Sequence, residues 1–177
     1  MFEFGPLLSG EVTDSSGRVV RILDDGLWHM NQGGYSPDGM TKWGWLPRAG
    51  YARAGSTAIP TLRDTLSWPL SWLSWPGRDG TGTSGANNET YYVIDDFTNE
   101  KYPYFPFPQY STKRGLGVSA QVWASQYSGG LQDAIIITWR LKNESPRPLE
   151  KCFWGFYGDP HIGGSVDYGD DLVSFIE

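Results

Sequence analysis

One cysteine and two histidines in 177 residues remove most nucleophilic and metal chemistry from this chain at the outset. Cys152 alone builds neither a disulfide framework nor a cysteine zinc cluster. It sits in Lys151-Cys152-Phe153-Trp154-Gly155-Phe156-Tyr157, alternating with aromatic residues, and reads as a buried small apolar side chain rather than a nucleophile. His29 follows Trp28 in an aromatic patch, and His161 follows Pro160 in a turn. With no H-E-x-x-H zinc helix and no G-x-S-x-G elbow, neither histidine has a hydrolytic motif around it.

Basic clusters are equally scarce. The 14 Lys and Arg against 20 Asp and Glu leave a net charge of −6, and the tightest basic cluster is the pair Lys113-Arg114. Binding to nucleic acid or to an anionic membrane surface draws on grouped cations, so both are disfavoured. Long apolar runs are also missing. The longest, 134–137, is a strand's worth, which predicts no membrane insertion.

What the chain does have is turns and rings. Its 23 glycines and 12 prolines argue for many turns between short elements, and 15% aromatic residues favour strands. The length suits one well-buried domain over 1–177. The fold class expected is all-β: an antiparallel immunoglobulin-like β-sandwich with a long irregular insertion rich in aromatics, Gly and Pro.

Residues 1–25 read as a hairpin, with Asp14-Ser15-Ser16-Gly17 as its turn. From 26 to 112 no sustained period of two or 3.6 appears, apart from a strand near 90–95. Six of the nine tryptophans fall here, at Trp28, Trp43, Trp45, Trp68, Trp72 and Trp75, a density that argues against plain disorder. The three prolines of 102–108 exclude a central strand there. Residues 113–177 carry the core strands. Leu116, Val118, Ala120, Val122 and Ala124 alternate with a more polar column, Gly117, Ser119, Gln121, Trp123 and Ser125, as in a half-exposed antiparallel strand. Residues 133–142 continue the sheet, 143–148 make a polar turn, and 149–157 return in an antiparallel order. Both ends read as internal to something longer: 1–5 lack the features of a signal peptide, and 172–177 form a strand with no turn after it.

Four features are candidates for chemistry. Trp68, Trp72 and Trp75 have i, i+4, i+7 spacing, so a helical turn or two puts them on one face. That face either covers the core or forms a platform on which sugar rings stack. The second feature is an acidic loop. Asp159, Asp167, Asp170 and Asp171, interleaved with glycines, offer the hard oxygens that calcium requires, although the spacing is not that of an EF-hand; the alternative is a solvated turn. Third, the carboxylate pairs Asp24-Asp25, Asp95-Asp96 and Asp170-Asp171 place neighbours on opposite faces of a strand. Glycoside hydrolysis would need two distant acids to converge across a cleft. Lastly, Gly80-Thr81-Gly82-Thr83-Ser84-Gly85 spells a dinucleotide fingerprint, but neither a strand before it nor a helix after it supports that role.

The runs 136–143, Leu149, 153–164 and Gly169-Asp170-Asp171 resemble a recurring segment of large secreted bacterial proteins, many of which end in a type IX secretion sorting domain. Tyr35-Ser36-Pro37-Asp38-Gly39, Lys42-Trp43-Gly44-Trp45, the Trp-Pro repeats, 91–96 and Arg114-Gly115-Leu116-Gly117 are similar too, so the likeness covers most of the chain. Those proteins often carry a second aspartate where this chain has His161. The resemblance implies an exported, extracellular or surface-associated β-sandwich with no assigned activity. The expectation is a non-catalytic structural or interaction region, steadied by calcium and facing cell-surface proteins or glycans. The alternative is a carbohydrate-binding module or accessory part of a glycan-degrading enzyme.

Overall fold

The structure is a computed structural model that describes residues 3–26, 36, 38–56, 58–78, 80, 82 and 84–159. Trp28, His29, His161, Asp167, Asp170 and Asp171 lie outside the described residues, as does the side chain of Asp159.

The fold is nearly all β, in two antiparallel sheets. Among the described residues there is no α-helix, only two short 3₁₀ turns at 65–67 and 129–131. Among the described residues no helix is long and apolar enough to cross a membrane. The chain divides into two compact units, and each sheet belongs to one of them.

The first unit combines 1–45, 96–116 and 145–177 around a three-stranded sheet ordered β2-β1-β7. β1 (Glu3–Thr13) and β2 (Val19–Asp25) form a hairpin whose register runs from Leu7 opposite Asp25 to Thr13 opposite Val19. The turn is locked by Asp14, whose Oδ1 accepts from the backbone N–H of Ser16 and of Arg18, while Gly17 turns at φ 83°. The Ser16 hydroxyl, followed by the Arg18 N–H, holds the Asp14 carboxyl down to about 2. β7 (Glu150–Asp159) pairs with the other side of β1 and bulges where Lys151, at φ 47°, leaves the ladder between Ser9 and Glu11.

Cys152 sits in that bulge and is exposed, not buried. Among the described residues β7 has a ladder partner on one side only, so alternation with aromatic residues does not enclose it. Phe153, 70% exposed, shows the same thing.

The second unit combines 46–95 and 117–144 around a four-stranded sheet ordered β3-β4-β5-β6. Its strands are β3 (Leu46–Pro47), β4 (Asn88–Asp95), β5 (Val118–Gln126) and β6 (Ile135–Asn143). β6 and β7 are not a ladder pair: the prolines at 146 and 148 carry the link past any tight hairpin, and β7 joins the other sheet.

β5 is central and departs from the half-exposed pattern. Val118, Ala120 and Val122 are buried as expected, but so are Ser119, Trp123 and Ser125 from the polar column. For Trp123 and Ser125 the reason is the irregular segment before β4, while Ser119 is bonded to Glu144. Trp75, Tyr91, Val93 and Trp123 form a buried cluster, with Tyr51, Leu62, Trp68 and Trp72 packed against it. The tryptophan segment thus roofs the face that periodicity assigned to solvent.

Candidate functional site

The roof is pinned by one acid. Glu89, 2% exposed, accepts hydrogen bonds from Trp75 Nε1 at 2.8 Å, Ser84 Oγ at 2.9 Å and Ser125 Oγ at 2.6 Å. These partners come from the tryptophan segment, the glycine-rich loop and β5, so a single carboxyl group ties all three together. Burying it is tolerable because its oxygens are met by donors. The Ser84 hydroxyl of the glycine-rich sequence is thereby engaged by this carboxyl.

The same contacts decide where the three candidate tryptophans face. Trp75 is 1% exposed, so it presents no free face to a ligand. Trp68 and Trp72 are half-buried, and Trp68 donates from Nε1 to the Thr61 carbonyl at 2.7 Å. The three rings are mutually tilted by 42° to 81° and do not form a flat platform. The 3₁₀ turn ends at Ser67 and Trp68 is extended, so the helical spacing is not realised as a helix. Leu66, Leu70 and Leu73 point outward instead, at 75%, 81% and 99% exposure. Trp68 and Trp75 are held inward by their N–H groups on the Thr61 carbonyl and the Glu89 carboxyl, bonds that a leucine side chain cannot make.

Beyond the roof's edge the same face of the sheet opens into a groove of about 390 Å³, lined by Arg48, Tyr51, Gln121, Arg140, Lys142 and Glu144. Registry explains the set. Gln121 lies opposite Val93 on β4 and Arg140 on β6, while Ser119 lies opposite Asp95 and Lys142. Directly opposed residues share a face, so the polar column of β5 and alternate residues of β6 point into one space. Tyr51 forms the wall towards the roof, with its ring 5.9 Å from Tyr91 and 6.5 Å from Trp72. On the other side of Tyr51 a more apolar hollow of about 500 Å³ continues past Ile59, Pro60 and Tyr92.

Fixed charges line the floor. Arg48 donates from Nε to Asp95 at 2.7 Å and from Nη1 to Glu144 at 3.1 Å, and Ser119 Oγ donates to the same Glu144 oxygen at 2.6 Å. Burial opposes the Arg48 charge, but the two carboxylates outweigh it and raise its pKa. Burial also opposes ionisation of Glu144, yet the Ser119 hydroxyl and Arg48 hold it below the usual range. Gln121 Nε2 donates to the Tyr91 hydroxyl at 2.9 Å, and burial raises that phenol above its ordinary value despite this bond. The groove therefore presents pre-positioned donors and acceptors beside one aromatic ring.

No family model, curated protein or solved structure matches the chain.

One of the aspartate pairs, Asp95-Asp96, is split between the two units, while Asp24-Asp25 stays together. Asp95 pairs with Arg48 in the second unit, whereas Asp96, with Asp24, Asp25 and Asn99, forms a cluster in the first unit in which Asp24, Asp96 and Asn99 are 0% exposed. Asn99 Nδ2 donates to Asp24 Oδ1, the Leu116 N–H donates to Asp96 at 2.6 Å, and Lys101 Nζ stands 3.9 Å from Asp25. Burial lifts the Asp24 carboxyl to about 6 against the hydrogen bonds from Asp96 and Asn99. Among the described residues no group of three or more metal-ligating side chains is assembled.

Sequence reading missed Arg48, Tyr51, Arg140, Lys142 and Glu144 as site residues. A signal for part of the set was present, since Ser119 with Gln121 and Arg140 with Lys142 share strand parity. Which strands are neighbours was not written in either segment.

Proposed function

We propose that the chain is a non-catalytic interaction region of a secreted or cell-surface bacterial protein, built as an immunoglobulin-like β-sandwich, whose binding surface is the groove beside Tyr51. Carbohydrate is the ligand class that this surface fits best. The observation that carries the reading is the meeting of a half-buried tyrosine ring with an amide, a hydroxyl, a carboxylate and guanidinium groups in one open groove of about 390 Å³. A pyranose offers C–H faces for the ring and hydroxyls that both donate and accept, and the volume lies in the usual range of ligand sites, about 300–1,000 Å³.

The acids support binding over catalysis. Glycoside hydrolysis asks for one carboxyl held protonated and a second facing it across the scissile bond. Glu144 in the groove and Asp95 outside its lining are both engaged by Arg48, and Glu144 is biased towards its ionised form. Asp24 does have a raised pKa, but it is wholly buried. Trp75 drops out of the sugar-stacking set because it is covered, and Tyr51 takes its place.

Calcium held by Asp159, Asp167, Asp170 and Asp171 remains part of the proposal, as a structural ion rather than a participant in binding. A thermal melt with calcium and then with excess chelator tests it, a rise of several degrees with the ion being the expected result.

Affinity electrophoresis through gels cast with soluble polysaccharides tests the main reading. Retardation on at least one glycan, abolished by Tyr51→Ala with the circular dichroism spectrum unchanged, is expected. Unretarded migration on every glycan refutes it.

A further inference from the structure

We propose that the groove beside Tyr51 selects acidic carbohydrate, with a carboxylate or sulfate group of the sugar held between Arg140 and Lys142. The inference rests on the carbohydrate reading above and adds the charge of the ligand.

The groove is lined by three cations, Arg48, Arg140 and Lys142, and one carboxyl, Glu144, with Asp95 paired to Arg48 outside the lining. That balance stands out on a chain of net charge −6. Arg48 is spent on the two carboxyls, at 2.7 and 3.1 Å. Arg140 and Lys142 are different. Both are exposed, and neither forms an ion pair within 4 Å among the described residues, although the Lys142 charge acts on Glu144 from further off.

Arg140 is also pre-positioned. Its guanidinium lies 5.0 Å from the Trp123 ring centroid and donates from Nη2 to the Arg78 carbonyl at 2.8 Å. A stacked guanidinium anchored at one nitrogen has already lost much of its side-chain freedom, so an anion that meets its remaining N–H groups incurs little further ordering cost. Lys142 is two residues further along the same face of β6, and the cross-strand partners of the pair are Gln121 and Ser119. An anionic substituent between the cations therefore leaves the sugar ring over Gln121 and towards Tyr51. A concave site with low-dielectric walls strengthens the field of such cations for an incoming polyanion.

Carboxylate and sulfate share this chemistry, and matched ligand pairs separate them from each other and from neutral sugar. Isothermal titration of the full chain uses oligogalacturonate against its methyl ester, and a sulfated cello-oligosaccharide against the unsulfated parent. The expected result is that at least one anionic ligand binds at least tenfold more tightly than its neutral twin. Arg140→Ala and Lys142→Gln should each weaken it roughly tenfold, the worth of about one charge-assisted contact. Arg21→Ala, an exposed cation of the first unit, serves as the charge control and should leave affinity unchanged. Lys142→Gln alters only an exposed side chain, so it stays informative if Arg140→Ala impairs folding.

Equal binding of the neutral twins, lost in Tyr51→Ala, overturns the acidic specificity while the carbohydrate reading stands. Binding of polyanions that ignores Arg140→Ala and Lys142→Gln, or falls equally with Arg21→Ala, overturns it as non-specific attraction. Silence of all four ligands together with the whole polysaccharide panel overturns both readings.

Discussion

Replacing Glu89 by alanine should be among the most damaging single changes in the four-stranded unit, and its cost can be worked from the contacts. The side chain is 2% exposed and accepts three hydrogen bonds, from Trp75, Ser84 and Ser125. Truncation leaves the Trp75 indole N–H without its buried acceptor, which costs about 1–3 kcal/mol. The lost side-chain volume adds about 1–2 kcal/mol in a site that collapses only partly. The two serine hydroxyls can rotate and contribute less. About 3–5 kcal/mol is expected in total, a large share of the roughly 5–15 kcal/mol that holds a typical domain together. Glu89→Gln keeps the shape and one accepting oxygen and should cost only about 1–2 kcal/mol. Urea denaturation followed by far-ultraviolet circular dichroism measures both. A double-mutant cycle with Trp75→Phe, which removes the stranded donor, should return a coupling of about 1–2 kcal/mol. Glu89→Ala within about 0.5 kcal/mol of wild type, or strict additivity with Trp75→Phe, would refute the claim that this carboxyl ties the tryptophan roof to the sheet.

Other outcomes follow from local geometry. Asp24 has its carboxyl raised to about 6 from an ordinary value near 3.8, so its contribution to stability is complete below the lower value and is lost as pH rises through the upper one. On the order of 3 kcal/mol is at stake; Asp24→Asn should flatten the fall in melting temperature between pH 4.5 and 7.5, and an unchanged slope would argue against it. Gly44 sits at φ +62° with an added Cβ only 1.9 Å from the Asp25 carbonyl oxygen, so Gly44→Ala should cost more than about 3 kcal/mol. Gly50, at φ +90° with open space around it, should lose only about 1 kcal/mol on the same change, and equal losses would contradict the steric account. Cys152 is exposed, but partial burial raises its thiol pKa, so native labelling by a disulfide reagent should go to completion, slowly at pH 7 and much faster at pH 9. Protection at both values would mean that the edge of β7 is covered in solution.

The hairpin turn, β4 near 90–95, β5 and β6 were legible because their signals are local: Asp and Gly at a tight turn, and alternation along a strand. What alternation does not carry is which face another segment will roof. Ser119, Trp123 and Ser125 read as a wetter column, and only the fold reveals the tryptophan segment above part of it and the open groove beside the rest. The indoles at 68, 72 and 75 posed the same difficulty, since aromatic density serves a core and a sugar platform equally well until their N–H partners are known. Cys152 failed for the converse reason: its neighbours are apolar, yet it stands in a bulge on a strand paired on one side in its sheet. The aspartate pairs show how far connectivity hides chemistry, with neighbours Asp95 and Asp96 serving an ion pair in one unit and a buried cluster in the other.

Binding at the groove beside Tyr51 is tested most directly by titrating isotope-labelled protein with a retarding glycan and mapping the amide shifts. Perturbations centred on Tyr51, Gln121, Arg140 and Lys142 are predicted. Shifts centred instead on the Pro-rich 103–111 segment, or on the exposed leucines at 66, 70 and 73, would contradict it.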